Sequence, residues 1–364
     1  MIKNLPYLVA LHSVNGLGPI RLKALLNYFQ DPKLAWEGSS KEILALGLPP
    51  KVVDLLIETR KKLDPEKYLE QIQKSGIKVL TIFDDTYPKL LKEIYAPPTV
   101  LYYKGEILPQ DNKAVAVVGT RKITGYGRMV TEKLTKELVG FGITIVSGLA
   151  RGVDTKAHQT AIENQGRTLA VLGGGLNRIF PPENTVLAEK IASGFGAVIS
   201  EFPPHHPSLA GNFPARNRII SGLSLAVLVA EAAEDSGSLI TAKLALEQGR
   251  EVFAVPGPIT SDLSKGPLML IKQGAKLVTD AQEILEELGL EGVKSAGPKV
   301  QNEKDLTKVE QKILDCLTNE QKHIDEICRE LKITAAEASA ALVKMEIYGL
   351  VKNLGGGNYG NIKL

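Results

Sequence analysis

The stretch AVAVVGTRKITGYG, residues 114–127, decides the fold: five apolar residues run into a glycine turn carrying a charge, and two further glycines then open a helix. A strand with no polar alternation has no side to show to water, so it belongs in a parallel sheet covered on both faces. The same unit recurs. Ala114–Val118, Ile143–Val146, Thr168–Leu172, Ala197–Ile199, Leu225–Val229 and Val252–Val255 are short apolar runs separated by helical periodicity. Their alternation predicts an α/β fold with a doubly wound, mostly parallel sheet over residues 76–290.

Upstream, Ile77 to Ile82 and Thr99 to Tyr103 read as further strands around Tyr87-Pro88-Lys89-Leu90-Leu91. Residues 1–75 read as a domain of short helices. Asn15-Gly16-Leu17-Gly18-Pro19 and Leu46-Gly47-Leu48-Pro49-Pro50 each lead into an amphipathic helix and resemble paired helix-hairpin-helix units. Such hairpins can offer N–H groups to a phosphate, or can simply pack; Pro49 and Pro50 lack the donor, which favours packing. Downstream, residues 291–305 are polar with Gly and Pro and read as a linker. Residues 306–364 show three helical segments and a hairpin tipped by Gly355-Gly356-Gly357, the pattern of a winged helix. Its third helix carries one lysine and two glutamates, a poor face for a polyanion and a better one for docking on protein.

The 364 residues allow two or three domains, and 44% apolar with 23% charged composition excludes a wholly disordered chain. No apolar run is long enough for a membrane span, and the opening residues lack a secretory signal. Two cysteines, Cys316 and Cys328, exclude a disulfide framework and miss the CxxC metal spacing, so the expected setting is a reducing cytoplasm. The net charge is only +3, but 8 of the 11 arginines fall in residues 111–290, where basic and acidic side chains balance at 18 each. Arginine is the side chain suited to forked phosphate contacts.

Ligands of open parallel sheets bind beyond the carboxyl ends of the strands. Here those ends carry Gly119-Thr120-Arg121, then Ser147-Gly148 with Arg151-Gly152, then a long loop from Glu201 to Pro214 closing on Phe213 with Arg216-Asn217-Arg218, then Ser236-Gly237-Ser238. Glycines admit a close backbone, helix N-termini offer N–H groups and arginines offer forks, so four such loops on one edge predict a phosphate-bearing ligand. The dinucleotide fingerprint G-x-G-x-x-G is absent, because Arg121 stands where its second glycine would be, and no P-loop run occurs. His158, His205 and His206 match no HExxH spacing and read as packing or solvated residues. The expectation is therefore no catalytic residue, no metal and no cofactor. A phosphate-tracking groove with an aromatic platform, Phe213, is how single-stranded nucleic acid is held without a base code.

VGTR at 118–121, SGLARGVD at 147–154, FPARNRIISGLS at 213–224, SGSLITA at 236–242 and VPG at 255–257 resemble the DNA-processing DprA/Smf family in content and order, as does YPKLLKEIYAPPTVLYYKG at 87–105. The resemblance implies an extended Rossmann-like domain between a sterile-alpha-motif-like helical domain and a winged helix. It implies single-stranded DNA binding, help in loading RecA recombinase during natural transformation, and a homodimer through the Rossmann-like domain. It places Arg121 and Phe213 in the DNA pocket. Some relatives carry a basic residue after the aromatic-Pro pair, whereas Phe180-Pro181 here is followed by Pro182. The fold also resembles nucleotide phosphoribohydrolases of the LOG group, which act on nucleoside monophosphates. Their signature PGGxGTxxE meets Glu234-Asp235-Ser236-Gly237-Ser238-Leu239-Ile240-Thr241-Ala242 here, without the double glycine or the catalytic glutamate. A DNA glycosylase reading finds no Lys/Asp pair after a hairpin.

Overall fold

Nine strands among the described residues form one sheet: β1 Lys78–Thr81, β2 Val100–Gly105, β3 Ala114–Val118, β4 Thr144–Ser147, β5 Thr168–Leu172, β6 Gly196–Ser200, β7 Ala226–Val229, β8 Glu251–Ala254 and β9 Lys276–Leu277. The structure is a computed structural model, and it describes residues 3–290, 307–317, 321–347 and 350–361. The strand order is β1-β2-β6-β5-β4-β3-β7-β8-β9. Pairing is parallel from β6 to β9 and antiparallel at β1–β2 and β2–β6. The chain builds outward from β3 through β4, β5 and β6, then returns to place β7 on the other side of β3. That return is the switch point, and it fixes where a crevice opens.

β3 shows why its run lacks polar alternation. Ala114, Ala116 and Val118 pack into one core and Val115 and Val117 into another, all five buried. One face is covered by the helices Gly125–Gly140 and Val153–Glu163, through Leu134, Leu138, Ala157 and Ala161. The other is covered by the helices Asn212–Gly222 and Gly237–Glu247, through Ile219, Ile220, Ala242 and Ala245. Two readings need correction. The long loop expected from Glu201 to Pro214 ends early, because the helix Asn212–Gly222 already contains Phe213 to Arg218; Pro214 fits its first turn, where the missing N–H would have had no intrahelical partner. β9 had no apolar run to announce it, being two exposed residues.

The helices Leu5–His12, Pro19–Phe29, Pro32–Glu37, Ser40–Ala45, Pro50–Lys62 and Pro65–Lys74 precede the sheet. Leu8, Leu11, Leu22 and Leu56 share one core with Tyr102 of β2 and Leu172 of β5, and buried His12 meets the Tyr102 hydroxyl at 3.1 Å. A Cβ at Gly16 would lie 3.0 Å from Val52, so the two hairpins lean on one another. This body is one compact unit, and the chain's second lies beyond residue 296. There the helices Lys308–Cys316, Ile324–Leu331 and Ala335–Ile347 enclose Ile313, Leu317, Ile327, Leu342 and Met345, beside strands β10 Lys322–His323, β11 Val351–Gly355 and β12 Asn358–Asn361. Helices followed by a twisted hairpin, with Gly355, Gly356 and Gly357 all at positive φ at its tip, make a winged helix. The expected linker 291–305 lies outside the described residues. Among those described, no helix is long and apolar enough to cross a membrane.

Candidate nucleic-acid interface

A cleft of about 510 Å³ opens at the carboxyl ends of β3 and β7. Eight of the sequence-selected residues line it: Gly119 and Arg121 after β3, Phe213, Arg216 and Asn217 on the helix before β7, and Ser236, Gly237 and Ser238 at the start of the helix after β7. Its two walls are tied by the backbone, since Thr120 N–H donates to the Glu231 carbonyl oxygen at 2.6 Å and Val153 N–H to that of Thr120 at 3.1 Å. Asn217 Nδ2 donates to the Gly237 carbonyl oxygen at 3.2 Å and fixes the third wall.

The glycines divide into two kinds. A Cβ at Gly119 would meet the Glu231 carbonyl oxygen and Val153; at Gly148, the Arg216 guanidinium; at Gly152, which sits at φ 77°, the backbone of Thr120 and Arg121. Those three are small because other parts of the chain press on them. Gly237 is different: nothing lies within 4 Å of the place its Cβ would take, and it faces the cleft. At the start of the helix Gly237–Glu247, its own N–H faces open space, while Ser236 Oγ accepts from Ser238 N at 3.4 Å and the Ser236 carbonyl oxygen from Leu239 N at 3.0 Å. The helix Val153–Glu163 offers no such opening, because Val153 N–H donates to the Thr120 carbonyl oxygen at 3.1 Å and Thr155 N–H to that of Ala150 at 3.1 Å, while the Asp154 carboxylate accepts from Gly148 N and Ala150 N of the preceding loop.

The four selected arginines have four different surroundings, and here the sequence reading is corrected. Arg121 is exposed, has no ion pair among the described residues, and holds its guanidinium 5.5 Å from the Phe213 ring centroid. Half-buried Phe213 lies 5.8 Å from Phe180. Arg216 is 4% exposed and donates from Nη1 to the carbonyl oxygens of Gly148, at 2.6 Å, and Val171. Burial brings its guanidinium down to about 10, with Asp154 opposing the shift and Arg121 adding to it. Burial likewise raises the Asp154 carboxyl, against the pull of Arg216. Arg218 turns to Glu201 in a pair that is nearly out of solvent. Arg151 is exposed but pairs with Glu183 outside the cleft. Arg216 and Arg218 are two residues apart on a helix, about 200° around it, so they cannot share a face. Ser147 is also internal, donating to the Val117 carbonyl oxygen at 2.7 Å, and the Thr120 hydroxyl accepts from Lys122 N at 3.1 Å.

One residue unassigned from the sequence organises the β3 turn. Glu231 is 3% exposed, and its carboxylate accepts from Thr124 N at 3.0 Å and Thr124 Oγ1 at 2.6 Å, pressing on Gly127. A lone carboxylate directly after an apolar strand was its signal. Two of the three named histidines are packing groups, His158 fully buried with Nδ1 2.6 Å from Thr168 Oγ1 and His206 stacked on Phe202, while His205 is exposed beside Asn177.

A doubly wound sheet with an arginine-on-aromatic cleft at its switch point, followed by a winged helix, defines a Rossmann-like, winged-helix class of protein. Residues 78–289 match the family described as DNA recombination-mediator protein A, and residues 297–357 match the DprA winged helix domain. The chain belongs to this DNA-processing family, DprA/Smf. It is 36% identical to Protein Smf of Synechocystis sp. over 97% of this chain and 98% of that protein. Among solved structures it is similar to DNA processing protein A of Streptococcus pneumoniae, with a TM-score of 0.69 and 39% identity over 79% of this chain and 99% of that one. It is also similar to DNA processing protein A of Helicobacter pylori, whose structure is described for its unique single-stranded DNA binding mode, with a TM-score of 0.53 and 30% identity over 59% of this chain and 96% of that one.

Proposed function

We propose that this chain binds single-stranded DNA in the switch-point cleft and helps load RecA recombinase onto it during DNA uptake and recombination. It acts as a homodimer through its Rossmann-like domain, in the cytoplasm, without catalysing a reaction. The observation that carries the DNA reading is the exposed Arg121 guanidinium against the Phe213 ring at the cleft mouth. A guanidinium there takes a phosphate, an aromatic face takes a base of any identity, and the Gly237 N–H adds a donor for a second oxygen. A duplex keeps its bases stacked inside and cannot present one to Phe213. The near balance of charge across the domain fits a short local site better than a long electrostatic track. The relative from H. pylori supports the choice of ligand; RecA and the homodimer rest on the family resemblance.

The experiment is a titration of labelled single- and double-stranded oligonucleotides with the full chain, followed by RecA filament formation on the single strand. Preference for the single strand and faster RecA filament growth are expected. Equal binding of both forms would overturn the ligand, and unaltered filament growth would overturn the RecA role.

A further inference from the structure

Beside the cleft lies a second groove of about 290 Å³ that shares Arg121 with it and gathers Lys122, Arg128, Arg151 and Lys156 against one lining carboxylate, Glu183. Two of these cations have partners: Arg151 pairs with Glu183, and Lys156 with Glu132 at 2.6 Å. Lys122 and Arg128 are exposed and have no ion pair among the described residues. Their place in the fold concentrates positive charge. Arg128 sits in the first turn of the helix Gly125–Gly140 and Lys122 just before it, while Lys156 sits in the first turn of the helix Val153–Glu163 and Arg151 just before that. A helix N-terminus carries positive partial charge, so four cations at two adjacent N-termini gather positive potential on the groove. Each start does have a buried carboxylate, Asp154 in the first turn of one helix and Glu231 on Thr124 of the other, but both face inward, and the exposed groove side carries the cations. The groove has polar Thr155 and Gln159 in its wall and no aromatic ring, so it can hold charge but cannot stack a base.

We propose that this groove is a purely ionic subsite for the backbone phosphates of the strand as it leaves the Arg121–Phe213 cleft, with Lys122 and Arg128 as the phosphate-binding side chains. This rests on the single-stranded DNA reading above. It divides the work between two compartments. The cleft holds a base and its phosphate, and the groove holds only the backbone that follows, so strand length is sensed without sequence.

The test compares the full chain with a Lys122→Ala/Arg128→Ala variant, and with Lys122→Glu/Arg128→Glu, by fluorescence anisotropy over a range of salt. The probes are oligothymidylates of about four and about fifteen nucleotides, the span of known single-strand site sizes. The short probe should bind wild type and both variants alike. The long probe should bind the alanine variant about tenfold more weakly, with a log–log salt slope shallower by about 1.4, or about 0.7 for each of two phosphates. The glutamate variant should lose more. Unchanged affinity and slope for the long probe would overturn the subsite, as would equal loss on both probes, which would make the two residues part of the cleft. Wild type binding neither probe would overturn the DNA reading together with the subsite, and the wild-type titration alone tells those failures apart.

Discussion

The Arg121 guanidinium lies 5.5 Å from the centre of the Phe213 ring, and the two residues reach that contact from opposite sides of the switch point. Arg121 comes from the turn after β3, and Phe213 from the first turn of the helix that leads into β7. The ring holds the guanidinium in place without neutralising it, as a carboxylate would. On the proposed reading, arginine should therefore do more here than any positive charge would. Arg121→Lys should keep a point charge but lose the fork and the guanidinium's contact with the ring. Its affinity for a single-stranded oligonucleotide should fall between those of wild type and Arg121→Ala, with the thermal midpoint unmoved. A lysine variant equal to wild type would contradict this.

Gly152 and Gly237 separate packing from binding. Gly152→Ala places a Cβ at φ 77° against the Thr120 carbonyl oxygen and should cost about 1–3 kcal/mol of stability, read by urea unfolding. Gly237→Ala meets nothing within 4 Å and sits where a helix accepts alanine, so the fold should be unaltered while DNA affinity drops. A stability loss at Gly237 or none at Gly152 would reverse the assignment.

Arg216 and Asp154 are buried opposite charges at the base of the cleft, each stabilising the other's charged form while hydrogen-bonding to the backbone. Arg216→Met removes the opposite charge from the buried Asp154 carboxylate, which keeps its bonds from Gly148 N and Ala150 N, and leaves the Gly148 and Val171 carbonyls without their donor. It should destabilise by about 3–5 kcal/mol, and a second change, Asp154→Asn, should return part of the loss. Equal stability of the single and double variants would show that the two do not act as a pair.

Two buried histidines make the fold acid-sensitive. Burial lowers His12 from 6.5 to about 4 and His158 to about 3, so the folded state keeps both neutral where the unfolded chain protonates them. Their contribution is therefore full above the unfolded value of 6.5 and is lost as pH falls from there towards the folded values. Each should cost about 2 kcal/mol between about pH 7 and about pH 5. Unfolding free energies at the two pH values should converge in a His158→Asn variant by that amount, and an unchanged pH slope would count against the assignment.

The sheet was legible because burial on both faces erases polar alternation: the Ala114–Val118 and Thr168–Leu172 runs coincide with β3 and β5 residue for residue. β9 was invisible because an exposed two-residue edge needs no apolar pattern. The site was legible as a set of loops but not as a set of charges. Arg216 and Arg218 look like surface donors until Asp154 and Glu201, distant in the chain, are folded against them. A sequence also shows that a residue is glycine but not what occupies the space its Cβ would fill, and that space distinguishes Gly148 from Gly237.

The central claim is that a single strand is held at the Arg121–Phe213 mouth. It is tested most directly by titrating one labelled single-stranded oligonucleotide with wild type and with Arg121→Ala at fixed salt. Loss of about 1–3 kcal/mol of binding, with unfolding unchanged, is the expected result for removal of one charged phosphate contact. Binding by Arg121→Ala at wild-type affinity would place the strand elsewhere on the molecule.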